Sequence, residues 1–289
     1  MIDLNRDEFP VLDHSIYLDH AAFSPLARRS VEAGKRYLED LSEIQKDGYS
    51  QFLEWLKIRS HVKAMLADMI HCDAEEIALT KNTSEGFLII ANSLHWEKGD
   101  NIILFDNEFP ANVFPWISLK SRGVEIRFVP EKDGKFHIED IKALIDNKTR
   151  LLAVSFVEFS TGFKNDLKAI GELCREYEII FTVDAIQGMG ILPINVQECQ
   201  IDFLSAGGHK WLMSGMGIGC FYAKRSSIGK LSRHLYGHGG VEDPGDFLNY
   251  HKEPKKTAER FEEGMFNVSG LYIMEAALSL LMETGTQKI

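Results

Sequence analysis

The sequence predicts an α/β fold: one sheet of short buried strands with helices crossing over it. Three observations carry the prediction. Seven short runs rich in β-branched and aromatic residues recur along the chain. Segments with helical spacing of apolar residues lie between them. The length, 289 residues at 45% hydrophobic content, fits one large domain or one and a half ordinary ones, with a sizeable core.

In chain order, EIALT (76–80) reads as the first strand and TSEGFLIIANSLH after it as a helix. NIILF (101–105) and VEIRFV (124–129) are the next strands, and HIEDIKALI then carries acids early, as helix starts do. RLLAVSFV (150–157) leads into NDLKAIGELCREY, a helical pattern for which Asn165 or Asp166 is a candidate N-cap. EIIFTVD (178–184), DFLSAG (202–207) and GCFYAK (219–224) complete the strands. Residues 236–264 are polar and rich in Gly and Pro, which predicts a long excursion. GLYIMEAALSLLMETG is an amphipathic helix with apolar positions 273, 274, 277, 278 and 281 on one side, and Gly285 is its expected stop. There is no internal repeat and no low-complexity tract.

Composition narrows the function classes. A net charge of −11 and a pI near 5.4 argue against a nucleic-acid footprint. The first residues show no basic region followed by an apolar one, so no signal peptide is expected. Apolar runs such as FLIIA fall far short of the roughly 20 residues of a membrane helix. Cys72, Cys174, Cys199 and Cys220 form no CxxC pair, which speaks against a zinc site or disulfide scaffold and suits a cytoplasmic protein.

Three stretches could carry chemistry. Lys210 follows an apolar run and is fenced by Gly207, Gly208, His209 and Trp211. A lysine whose ammonium is destabilised becomes an amine nucleophile able to form a Schiff base with an aldehyde. A strand end would hold it at the carboxyl edge of the sheet, where α/β proteins bind ligands. By position alone, a lysine snorkelling at a strand terminus is the more common case. Asp184 ends the most apolar strand, so its carboxylate needs a cationic partner or serves an Asx-turn. A pyridinium nitrogen would be one such partner, with Gln187 three residues on as a donor to a phenolic oxygen. In LTKNTSEGFLII a strand runs into a helix start, where Thr83 and Ser84 could cap the helix or add donors to a phosphate site. GMGIG (215–219) precedes a strand and lacks dinucleotide spacing, and His234 and His238 lack further ligands, so no metal is expected.

Taken together, VDAIQGMG followed by DFLSAGGHKWLMSGMGIG resembles the class V aminotransferase family, which includes cysteine desulfurases, selenocysteine lyases, kynureninases and isopenicillin-N-epimerase-like proteins. YLDHAAFSPL (17–26), NEFPANVFPW (107–116) and RFEEGMFN (260–267) extend the likeness along almost the whole chain. The resemblance implies a three-layer fold around a mainly parallel, seven-stranded mixed sheet, with pyridoxal 5′-phosphate (PLP) as cofactor. It implies an N-terminal arm (1–25), a PLP-binding large domain (26–265) and the start of an inter-domain helix (266–289), with the family's C-terminal small domain absent. Lys210 would carry the cofactor, Asp184 would face its ring nitrogen and Gln187 its phenolic oxygen. Thr83, Ser84 and His209 would hold the phosphate, and Phe109 would stack on the ring.

Departures from the desulfurase branch bear on the chemistry. Phe109 stands where that branch has a histidine that also moves protons. Phe159 replaces an asparagine, Gly207 a serine and Met265 a threonine. The resemblance therefore implies PLP-dependent transformation of a small amino acid by a homodimer. Desulfurase-type or lyase-type β-elimination, or an inactive PLP-binding protein, are the alternatives. Without the further domain, the last helix is expected to expose its apolar face.

Overall fold

The computed structural model describes residues 6–44, 47–233 and 236–285. All seven expected strands form, most of them a residue or two shorter than predicted: β1 (Ile77–Thr80), β2 (Asn101–Phe105), β3 (Glu125–Val129), β4 (Thr149–Ser155), β5 (Ile180–Asp184), β6 (Phe203–Gly207) and β7 (Gly219–Ala223). The helices are α1 (Arg28–Ser42), α2 (Gly48–Ile70), α3 (Thr83–Ser93), the single turn α4 (Phe114–Ile117), α5 (Ile138–Ala143), α6 (Leu167–Glu176), the single turn α7 (Arg225–Ile228) and α8 (Val268–Thr284).

One sheet runs in the order β1-β7-β6-β5-β4-β2-β3, and β7 alone runs opposite to the other six strands. The strands β2, β5, β6 and β7 are buried along their whole length, because helices cover both faces. Alternate residues serve the two faces: Ile103 and Phe105 join Leu66 of α2, Ile170 of α6 and Leu278 of α8, whereas Ile102 and Leu104 join Phe87 and Ile90 of α3. The result is three layers.

Asp166 supplies the predicted cap of α6, accepting from the Ala169 N–H, while Asn165 turns inward instead. Gly285 ends α8 at a φ of 80°. The α8 expectation needs correction, however. Its apolar residues Leu271, Met274, Ala277, Leu278 and Leu281 are buried, packed into the main core beside α1 and α2. The two N-terminal helices, for which no element was predicted, provide that cover. Within α2, Arg59 and Lys63 interrupt the apolar stripe and yet are buried. Arg59 donates to Glu262 Oε2 at 2.8 and 2.6 Å, and Lys63 to Glu259 at 2.8 Å. Among the described residues no helix is long and apolar enough to cross a membrane.

Candidate active site

Parallel strands place their carboxyl ends on one edge, and the candidate residues collect there because each follows such an end. Thr83 follows β1, Phe109 follows β2, Phe159 follows β4, Asp184 closes β5, and His209 and Lys210 follow β6. After β6 the chain is tied down by hydrogen bonds from Gly208 N–H to Ile218 O (2.8 Å) and from Met213 N–H to Lys210 O (2.9 Å). Lys210 thus stands on a fixed turn, half-buried, its Nζ 5.5 Å from the centroid of the Phe109 ring. Burial lowers the Lys210 pKa, against the pull of Asp184 and Asp19.

Asp184 is only 2% exposed. Its Oδ1 accepts from the Ile186 N–H at 3.0 Å, and its Oδ2 is buried without a partner. Burial pushes this carboxyl up to about 7, although the Ile186 hydrogen bond and the Lys210 charge work the other way.

At the start of α3 the cap is Asn82, which accepts from the Glu85 N–H; neither Thr83 nor Ser84 caps. Asn82 is the residue with extended backbone at that junction, so the cap falls to it and Thr83 becomes the first helical residue. The Thr83 hydroxyl instead accepts from the Gly207 N–H at 2.9 Å and ties the helix start to β6. The close approach demands Gly86, where a Cβ would lie 2.4 Å from Ser205 Oγ. Ser84 borders an apolar recess of about 410 Å³ shared with Leu88, Phe109 and Phe114. At Gly207 any Cβ would come within 3.1 Å of the His209 ring, so the absence of a side chain leaves room for that imidazole.

Gln187 is engaged at both ends: its Nε2 donates to Ala21 O (3.0 Å) and its Oε1 accepts from Trp211 Nε1 (2.9 Å). The N-terminal segment is the reason. Its His20 stacks on Trp211 at 5.5 Å, Ser24 N–H donates to His209 O at 2.9 Å, and Phe23 leans on His209. Phe109 and Phe159 meet edge to face at 5.3 Å, 42% and 48% exposed. Met265 lies elsewhere, on the surface. His238 packs against Phe247, and His234 lies outside the described residues.

Sequence reasoning passed over two groups at this edge. One is the N-terminal pair Asp19 and His20. The other is a pair of buried glutamates, Glu108 and Glu158, beside Asp184. A carboxyl next to Phe109 in NEFP and another inside the apolar SFVEF were the available signals. Burial and the neighbouring Glu108 charge push Glu158 up to about 9. A folded-state value above the ordinary 4.5 means that its contribution to stability is complete below 4.5 and is lost as pH rises through 9. Glu158→Gln should therefore unfold several degrees higher than the parent at alkaline pH, the gap closing toward pH 4.5. Thermal melts across that span test it, and parallel curves would refute it.

A family model described as aminotransferase class-V matches residues 16–289. The chain belongs to the class-V aminotransferase family. A probable cysteine desulfurase of Methanothermobacter thermautotrophicus is 30% identical over 99% of this family member and 71% of its own length. The solved cysteine desulfurase of Thermococcus onnurineus is 27% identical, with a TM-score of 0.88 over 100% of this chain and 73% of that one. The family fold is also shared with C-DES, 24% identical at a TM-score of 0.87, covering 97% of this chain and 74% of that one, which was solved with glycine covalently linked to its PLP cofactor.

Proposed function

We propose that this chain binds PLP at the carboxyl edge of its sheet and uses it to transform a small amino acid, with Lys210 as the attachment point. The observation that carries the reading is Asp184 Oδ2, a buried carboxylate oxygen without a partner in a site whose nearby cation is Lys210. A protonated ring nitrogen satisfies such an oxygen. Bound PLP supplies an electron sink for charge developing at the substrate Cα. The chain's own residues do the rest. Asp184 holds the ring-nitrogen proton, and the start of α3 with Thr83, Ser84 and His209 receives the phosphate. Phe109 would stack on the ring, and Gln187 would contact the phenolic oxygen on release from Ala21 O. Lys210, its ammonium destabilised by burial, would hold the cofactor and serve as the base for the proton at Cα. The domain boundaries implied by the resemblance, 1–25, 26–265 and 266–289, belong to this reading.

A second reading, desulfurase-type elimination, draws support from the names of the relatives, whereas Phe109 opposes it because a phenyl ring moves no proton. Incubation with cysteine and an added thiol separates the two: transfer of the sulfur to that thiol as a persulfide leaves alanine, and β-elimination releases sulfide. We place the protein in the cytoplasm, a location that suits its four free cysteines. As a homodimer it would cover the exposed Leu88, Phe109 and Phe114 beside Ser84, and light scattering tests that. The cofactor reading is tested by adding PLP to cofactor-free protein. A saturable visible absorption band of lysine-bound PLP is expected, and its absence overturns the reading.

A further inference from the structure

Three carboxyl side chains, Asp184, Glu108 and Glu158, meet at the site edge, and Lys210 acts on the first of them. Asp184 lies opposite Ser155 in the β4–β5 register. Ser155 donates both its N–H and its hydroxyl to Glu108, each at 2.6 Å. Asn165 bridges the Ser155 carbonyl (2.8 Å) and Glu158 Oε1 (2.6 Å). The two glutamates are thus attached to one residue, yet they are solvated differently. Glu108 receives two donors from Ser155, one on each carboxylate oxygen. Glu158 receives one, and its Oε2 is buried without a partner. Hydrogen-bond donors favour the ionised form and bare burial the neutral one, so a charge shared by the pair settles on Glu108. A shared divalent ion is not the explanation, since no group of three acidic, His or Cys residues among the described residues is arranged to hold a metal.

We propose that Glu108, held by Ser155, is an ionised positioning residue that acts beside Asp184 to strengthen proton retention by the cofactor, while Glu158 stays neutral. The inference rests on the PLP reading above. The charged groups that bear on it are few. Glu108 faces Glu158 and Asp184, Glu158 also feels Glu131, and Asp184 feels Lys210, which in turn feels Asp19. A second negative charge near Asp184 raises the proton affinity of a cationic group bound at that carboxylate. Burial raises both glutamates, and the Glu108 charge raises Glu158 further, in keeping with this division.

The test is a pH titration of the visible band of the PLP-loaded protein. Glu108→Gln should lower the midpoint of the lysine-bound cofactor by about one unit. Ser155→Ala, which removes one donor from Glu108, should lower it less, and Glu158→Gln should leave it in place. A Glu108→Gln protein that loads PLP normally and titrates like the parent overturns the proposal. If that variant does not fold, an unmoved midpoint in Ser155→Ala does the same. Infrared spectra of the cofactor-free protein at neutral pH give a readout that does not need PLP. A loss of protonated-carboxyl intensity in Glu158→Gln is expected, and a spectrum unchanged by that substitution overturns the assignment even if the parent never binds PLP. A parent without any visible band fails the cofactor reading instead, which keeps the two failures apart.

Discussion

Lys210→Ala is expected to erase the visible band of the PLP-loaded protein and to lower turnover of its amino-acid substrate by about 10²–10⁴-fold. The band requires a covalent bond to an amine, and Lys210 is the amine that stands on the tied turn after β6, half-buried and against the Phe109 ring. The anchors proposed for noncovalent PLP, Asp184 and the start of α3, keep their side chains in this variant. The variant should therefore still quench its tryptophan fluorescence on adding PLP while showing no lysine-bound absorption. A small primary amine in solution should restore part of the turnover. A visible band that survives in Lys210→Ala would place the attachment on another lysine and remove Lys210 from the mechanism.

The second large effect concerns stability. Glu262→Ala should destabilise the fold by about 3–5 kcal/mol, because it leaves a buried guanidinium without its main partner. In the structure Glu262 Oε2 accepts two hydrogen bonds from Arg59, and Oε1 accepts from the Leu79 N–H of β1 at 3.1 Å. The carboxylate thus ties α2 to the sheet edge. On a chain of this size the melting temperature should fall on the order of 10 °C. Truncating the exposed Glu75, which pairs with the exposed Arg225, should leave it unchanged. A Glu262→Ala melt within a degree or so of the parent would mean that the network relaxes around the loss. Glu259 adds a pH signature of opposite sign to that of Glu158. Burial tends to raise it, but Lys63 and Arg59 bring it down to about 2. Its stabilisation is present above 4.5 and lost as pH falls through 2, so the two groups together favour a stability maximum at mildly acid pH.

The strands were legible because a strand buried on both faces must be apolar along its length, and NIILF or EIIFTVD can be little else. Lys210, Asp184, Thr83 and Phe109 were legible because each sits at the end of such a run. The helix α2 was not, since Arg59 and Lys63 break its apolar pattern; they face inward only because Glu259 and Glu262, some 200 residues later, meet them. The burial of α8 was misjudged for a related reason. Its amphipathic side shows that it needs cover, but not that α1 and α2 supply it.

What the sequence by itself determined is the seven strands, the helices that follow them, their α/β class and the lysine and aspartate that suggest a cofactor, since these depend on local propensity and residue chemistry. What only the tertiary structure decided is which distant residues share a dielectric environment. Gln187 is held by Ala21 and Trp211, Asn82 takes the cap from Thr83, and Glu108 and Glu158 converge on Asp184. Charge and hydrogen bonding act through space, and the parallel sheet brings the ends of β2, β4 and β5 to one edge although the chain separates them by dozens of residues.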